Sequence, residues 1–183
     1  LYEANKEVYE SLRYGVKIKT GIGKRTETVW LIDWKNPLNN DFAIAEEVSV
    51  RGENKKRPDI VLYVNGIALG VLELKRSSVS VTEGIRQNLD NQKKAFIRNF
   101  FTTMQLVMAG NDTEGLRYGT IETPEKYYLS WKEENPDYNP QVDAPELKVL
   151  PGSDTDGVSS PLDVALLRLC SKERLLEMIH DFI

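Results

Sequence analysis

Apolar positions along the chain fall into short blocks, and their spacing switches between helical and extended. Ala4, Val8 and Leu12 lie on one stripe, which predicts an amphipathic helix over 3–14. Two runs of extended type follow, 16–19 and 26–32. They flank Gly21-Ile22-Gly23-Lys24, which reads as a hairpin tip. Asn36-Pro37-Leu38-Asn39-Asn40 is loop chemistry, 42–50 alternates as a strand does, and 51–57 is a charged, exposed turn. The densest extended signal is Ile60-Val61-Leu62-Tyr63-Val64, nearly continuous in apolar residues as in a strand buried on both faces. Asn65-Gly66 is a hairpin dipeptide because both residues tolerate positive φ. The chain then returns as a strand over 67–75. A helix is predicted over 82–99, further strands over 104–109 and 116–122, and another over 126–131.

Residues 132–160 differ in kind. Rich in Pro, Asp, Gly and Ser, they read as a long irregular surface segment. The stretch 161–183 reads as a helical tail with Leu162, Ala165, Leu166, Leu169, Leu175 and Ile179 as its apolar positions. Three parts result: a core over 1–132, an irregular acidic and Pro-rich segment over 133–160, and a terminal helix over 161–183. Alternating strands and helices predict an α/β architecture, a central mixed sheet flanked by helices.

Composition narrows the chemistry. The chain has 183 residues, 40% hydrophobic and 28% charged, enough for one domain with its own core. Cys170 is the only cysteine and His180 the only histidine, which excludes an intramolecular disulfide, a cysteine zinc site and histidine cages. No apolar run approaches the roughly 20 residues of a membrane span, and no signal peptide opens the chain. A cytoplasmic, reducing location is expected, and the absence of an initiator Met suggests a fragment. The net charge of −4 argues against a free-standing, tight nucleic-acid binder but leaves room for a local cationic groove.

One constellation carries chemistry. Pro58-Asp59 is followed, after thirteen intervening residues, by Glu73-Leu74-Lys75. Phosphodiester hydrolysis needs a divalent cation on the scissile phosphate, and Mg²⁺ takes oxygen ligands. Glu73 and Lys75 are two apart on a strand, so they share a face. The Leu74 carbonyl lies between them as a third ligand, and Asp59 opens the partner strand. Register decides whether Asp59 joins them. A two-residue turn at Asn65-Gly66 pairs Val64 with Ile67 and sets Asp59 against Leu72, on the wrong face. A three-residue loop with a glycine bulge, or a bulge within one strand, pairs Asp59 with Glu73 instead. The remaining alternative has Asp59 beyond the ladder and turned inward.

Surrounding residues extend the reading. Gln87, Asn91, Lys94 and Arg98 recur at helical spacing as one polar, partly cationic face suited to DNA phosphates, opposite Ile85, Leu89, Phe96 and Phe100. Lys55, Lys56, Arg57 and Arg76 flank the hairpin and extend a groove. Against this stands the plain reading in which Glu-x-Lys and the helix face are solvated charge. Trp30, Trp34 and Trp131 read as core, Cys170 as an inert thiol, His180 as a helix-end residue, and Glu46 and Glu47 as structural or surface charge.

The stretch from Arg57 to Lys75 resembles the PD-(D/E)xK nuclease superfamily. More closely, it is similar to the N-terminal nuclease domain of the R subunit of type I restriction-modification enzymes. Leu31-Ile32-Asp33-Trp34, Asn39-Asn40-Asp41-Phe42, Leu106 to Asn111 and Arg117-Tyr118-Gly119-Thr120 extend the likeness over about residues 5–132. The resemblance implies a restriction-endonuclease-like core, Asp59 and Glu73 as metal ligands, and Lys75 as the catalytic lysine. It implies Gln87 from a Gln-x-x-x-Tyr motif, in which Asn91 replaces the tyrosine here. It also implies an acidic ligand from the first helix, for which Glu3, Glu7 and Glu10 are open candidates. Implied partners are double-stranded DNA and the methyltransferase and specificity subunits of a restriction-modification complex. Mg²⁺ is the implied cofactor, with ATP acting only through a motor domain. No Gly-x-x-x-x-Gly-Lys-Ser/Thr motif is present, and Gly21-Ile22-Gly23-Lys24-Arg25 has the wrong spacing, so the motor is expected to lie outside this chain. The rival readings are another nuclease of the superfamily, for repair or junction resolution, and a catalytically silent binding module of the same fold.

Overall fold

A computed structural model describes residues 1–132 and 160–183. The irregular segment expected at 133–160 therefore lies, but for Ser160, outside the described residues.

Helix α1 (Tyr2–Tyr14) leads into a hairpin of β1 (Val16–Lys19) and β2 (Thr26–Val29). The main sheet holds β3 (Phe42–Glu46), β4 (Ile60–Val64), β5 (Ile67–Leu74), β6 (Leu106–Asn111) and β7 (Gly115–Gly119), in spatial order 3-4-5-6-7. Neighbours are antiparallel except β5 and β6, which are parallel and joined through α2 (Val81–Asn91). Helices α3 (Pro161–Leu169) and α4 (Lys172–Asp181) end the chain. This is the expected α/β class: a mixed five-stranded sheet flanked by helices, consistent with a restriction-endonuclease-like fold.

The sheet has a core on each face. On one side Leu62, Val64, Leu72 and Met108 meet Leu12 of α1 and Leu162, Leu169, Leu176 and Ile179 of the terminal helices. On the other, Val61, Val71 and Val107 meet Val81 and Ile85 of α2, with Ile97 and Phe101 beyond it. Burial on both faces explains the unbroken apolar run of β4.

The turn at Asn65-Gly66 has two residues, with φ of +51° and +77°, and pairs Val64 with Ile67. Tyr63 pairs with Ala68, but Leu62 pairs with Gly70, leaving Leu69 as one additional residue in β5. The ladder continues through Val61–Val71 and Ile60–Leu72. The bulge within a strand is observed, and Asp59 itself stands one residue beyond the paired ladder, as in the remaining alternative. The mark of the bulge is visible in the packing: Leu69 and Leu72, three apart, bury into the same core, where simple alternation would separate them.

Several boundaries move, each for a tertiary reason. The predicted helix over 82–99 stops at Asn91, because the turn after it is pinned to the loop 51–57. There Glu53 N–H donates to the Phe96 carbonyl at 3.1 Å and Asn54 Nδ2 to the Ala95 carbonyl at 2.7 Å. Strand β3 ends at Glu46, since Glu47 takes φ +51° and donates its N–H to the Asp59 carbonyl. The strand predicted over 126–131 is a short 3-10 turn, Glu125–Tyr127, followed by a single bridge from Leu129 to Tyr118. The tail is two helices, broken at Cys170–Ser171. Trp34 and Trp131 pack against the core as expected, whereas Trp30 is exposed, following the hairpin off the body.

The bulge suits a glycine. A Cβ added at Gly70 would stand 3.2 Å from Leu62 Cδ1 and 3.4 Å from its Cβ. Gly70→Ala is therefore expected to cost about 1–3 kcal/mol by overpacking. In a urea-melt cycle, its penalty should shrink in a Leu62→Ala background, by about 0.5 kcal/mol or more.

Candidate active site

Continuing the ladder one step past Ile60–Leu72 sets Asp59 against Glu73. Both then face α2, because Val61 and Val71, two residues away on each strand, belong to that side. Asp59 is held there by its own backbone partner: its Oδ2 accepts the Leu74 N–H at 2.8 Å. Lys75 follows on the same face, its backbone N–H bound to the Gly110 carbonyl at 2.9 Å.

Helix α2 supplies the fourth residue. Gly84 lets the helix approach closely: a Cβ there would lie 3.0 Å from Ala109 Cβ and 3.5 Å from both the Glu73 carbonyl and Lys75 Cγ. Gln87, one turn on, sits over the strand end. Its Oε1 accepts from Lys75 Nζ at 2.7 Å, and its Nε2 donates to Glu73 Oε1. Lys75 Nζ also reaches Glu73 Oε1 at 3.1 Å. Carboxylate, ammonium and amide thus close a triangle. The start of α2 is tied to the β6–β7 turn by Glu114, which accepts the Val81 N–H at 3.0 Å and is itself held by Asn111. Gly84, Asn111 and Glu114 escape notice in the sequence; the one available signal is a glycine inside an otherwise helical pattern.

Electrostatics single out Glu73. It is 2% exposed. Burial, then the neighbouring charge of Asp59, pushes its carboxyl up from 4.5 to about 7, against the opposing pull of Lys75. Its Oε2 is buried without a hydrogen-bond partner. An ionised oxygen so placed is costly unless a cation meets it. The donor set here, two carboxylates with the Leu74 carbonyl between Glu73 and Lys75, is hard oxygen and fits Mg²⁺. No group of three or more His, Cys, Asp or Glu side chains among the described residues is arranged to hold a metal. The acidic ligand sought on α1 is therefore not found. Asn5 anchors α1 to the Phe101, Thr102 and Met104 carbonyls, and Glu10 lines a recess with Gln105 and Thr120, at the sheet end opposite Glu73. Glu3 and Glu7 are exposed on the same helix.

The expected polar helix face is not present. Asn91 is buried, Lys94 is exposed beyond the helix end, and Arg98 lies in a 3-10 turn. Arg98 donates to the Gln92 carbonyl and pairs with Glu122 at 3.2 Å, so it closes α2 rather than facing a ligand. Lys55 and Lys94 are exposed and lie on two loops that dock together. Arg57 pairs with Glu47 at 3.1 Å on the surface, Lys56 lies 4.3 Å over the Phe96 ring, and Arg76 is exposed next to Lys75.

Other candidates are accounted for elsewhere. Burial pushes the Cys170 thiol up to about 12, which leaves it inert. His180 packs against Trp34 at the end of α4, the ring centroids 4.9 Å apart and the planes tilted by 53°. A cavity of about 880 Å³ beside Trp30, Trp34 and Asn65 lies at the far end of the sheet. The Asn40 and Asn65 amides there are already bonded to Asp33, Pro37, Leu31 and one another.

The raised Glu73 pKa has a definite sign in stability. Folded Glu73 binds its proton more tightly than the unfolded chain does. Its contribution is fully present below pH 4.5 and is lost as pH rises through about 7. In metal-free buffer, melting temperature against pH should fall less steeply across this window in Glu73→Gln than in the wild type. Added Mg²⁺ should raise the wild-type melting temperature at pH 8 and leave Asp59→Ala unmoved.

Comparison with known proteins follows the same outline. The type I restriction enzyme R protein N terminus family matches residues 1–126. The "Putative type I restriction enzyme MjaIXP endonuclease subunit" of Methanocaldococcus jannaschii is 29% identical over 96% of this chain and 17% of its own length. The type I restriction enzyme EcoprrI endonuclease subunit of Escherichia coli is 29% identical over 49% of this chain and 29% of its own. The HindI endonuclease subunit of Haemophilus influenzae is 29% identical over 70% and 12%. The chain thus spans less than a third of the length of each of these curated relatives. Among the described residues, no helix is long and apolar enough to cross a membrane. With residues 1–126 matched, strands, site hairpin and α2 included, the chain belongs to the family of type I restriction enzyme R protein N-terminal domains.

Proposed function

We propose that this chain is the nuclease module of a type I restriction R subunit and hydrolyses phosphodiester bonds of double-stranded DNA. The reading rests on one observation: the β5 bulge sets Asp59 against Glu73 on the face where Lys75 and Gln87 gather, with a buried Glu73 oxygen left unpaired.

Asp59, Glu73 and the Leu74 carbonyl hold Mg²⁺ in this reading. When bound, the ion polarises the scissile phosphate and acidifies water. The chain's own groups do the rest. Lys75 presents an ammonium beside the Glu73 carboxylate, where it steadies the attacking water and the charge gathering on phosphate oxygens. Gln87 is a positioning residue. It grips the lysine with its carbonyl and the glutamate with its amide, so neither side chain rotates away. Water adds to phosphorus and gives up a proton to solvent, one P–O ester bond opens, and the departing oxygen takes a proton back from solvent, so the elements of water are divided between the two products. Lys55, Arg57, Arg76 and Lys94 contact DNA phosphates around the site, without base readout. Methyltransferase and specificity subunits, and an ATP-driven motor elsewhere in the R subunit, bring DNA to this module. Local concentration then replaces intrinsic affinity, in keeping with a net charge of −4.

Supercoiled plasmid with Mg²⁺ and the reconstituted complex tests this. Asp59→Ala and Lys75→Ala should each lower the cleavage rate by roughly 10²-fold or more. Gln87→Ala should reduce it less, on the order of tenfold, and Gln87→Glu should differ from it in pH profile because it adds a charge beside Glu73. Undiminished cutting by both Asp59→Ala and Lys75→Ala would overturn the site.

A further inference from the structure

The β1–β2 hairpin is not accounted for by the site or by the core. All of its eight strand residues are exposed, it pairs with no strand of the main sheet, and none of its residues joins either hydrophobic cluster. Such a two-stranded ribbon is marginal alone. Its direction is nevertheless set at the base. Gly15, at φ +73°, is packed so tightly that a Cβ would lie 2.6 Å from Thr28 Cγ2 and 2.9 Å from the Val29 carbonyl.

Register sorts its side chains. Lys17 pairs with Thr28 and Lys19 with Thr26, so one face consists of ammonium and hydroxyl groups alone. Val16–Val29 and Ile18–Glu27 form the other face. At the tip, Lys24 and Arg25 follow Ile22, which is fully exposed between two glycines. Lys17, Lys19, Lys24 and Arg25 pair with no carboxylate among the described residues, and Glu27 is the one acid between 16 and 29. In a chain of net charge −4 this is a concentrated cationic projection.

We infer that the Lys17/Lys19/Thr26/Thr28 face of this hairpin, with Lys24 and Arg25 at its tip, is a second DNA contact that grips the phosphate backbone of the duplex away from the cleavage site. Charge complementarity selects the partner. Lysines two apart on a strand stand about 6.8 Å from one another, comparable with neighbouring phosphates on one strand, and the threonine hydroxyls add neutral donors between them. A two-stranded ribbon also fits the width of the major groove. Position separates this contact from the site. The hairpin runs into Leu31, whose carbonyl accepts from Asn65 at the turn of β4–β5, whereas Asp59 is at the other end of β4. The length of β4, about 17 Å, separates the base of the ribbon from the Asp59 end of the strand. The inference takes only the identity of the ligand from the proposed nuclease function.

The test is anisotropy of a short, fluorescein-labelled, random-sequence duplex titrated with this chain in EDTA, so that cutting plays no part. Lys17→Ala/Lys19→Ala should weaken binding roughly tenfold or more at 50 mM salt and lower the slope of log K against log salt by about 2. Ile18→Ser/Val29→Ser should bind as wild type does. All four substituted positions are exposed, and matching circular dichroism confirms an unchanged fold. Three results would overturn the inference: no measurable binding by the wild type, an unchanged salt slope in the lysine variant, or loss of binding confined to the apolar-face variant, which marks a protein-docking ribbon. Cleavage fails or succeeds separately. A changed slope with no plasmid cutting discards the nuclease reading and keeps the ribbon.

Discussion

Strand parity is the constraint on which the site depends. In a β-ladder every residue faces one of two sides, and a shift of one residue exchanges them. With a tight Asn65–Gly66 turn, Asp59 and Glu73 fall on opposite sides of the sheet unless something breaks the count. Leu69 breaks it. The added residue lets Leu69 and Leu72 bury in one core and returns Val71, Glu73 and Asp59 to the side covered by α2. The hairpin keeps its short turn, and the strands keep their apolar faces. Neither core loses a large side chain to the bulge, because Gly70, next to it, presents none to Leu62.

Once both carboxylates share a side, electrostatics takes over. Glu73 is buried beside a second anion, which raises its pKa and leaves one oxygen unsatisfied. Lys75 and Gln87 offset part of that cost, and only on Oε1. A structure selected for stability alone has better residues for this place, since an apolar side chain carries no such penalty. The cost is local, and a divalent cation bound as proposed would relieve it. Stability and the proposed chemistry are therefore linked through a single atom.

Much of this was legible from residue order. The Asn65–Gly66 dipeptide, the double-sided burial of β4, and the shared face of Glu73 and Lys75 follow from backbone geometry, and the need for a bulge follows from counting. Which residue forms the bulge did not follow, although Gly70 within an apolar strand is the kind of signal that marks one. The helix end was misplaced for a different reason. Periodicity over 82–99 is real, but Phe96 and Ala95 give their carbonyls to the loop 51–57, a contact with a partner 41 positions away in the Asn54–Ala95 pair that local pattern cannot encode. The same contact buried the reading of Asn91 and Arg98 as ligand-facing groups. The α1 acids fail similarly: Asn5 commits that helix to the far end of the sheet.

The distribution of charge then has a physical logic. Some cations near the site are engaged by the fold, Arg98 by a helix end and Glu122 and Lys56 by an aromatic ring, while Arg57 pairs with Glu47 on the surface. Others stand on exposed loops around the site and on the β1–β2 ribbon, apart from buried Glu73. That separation matters, because a strongly cationic rim packed against Glu73 would lower its pKa and satisfy its open oxygen with protein groups instead of a metal. In the proposed reading, a weakly charged site with a cationic outrigger would keep the acceptor oxygens available and still engage a polyanion. The net charge of −4 is thus compatible with a DNA substrate: association depends on where the positive groups stand, and long-range attraction is screened beyond about 10 Å in any case.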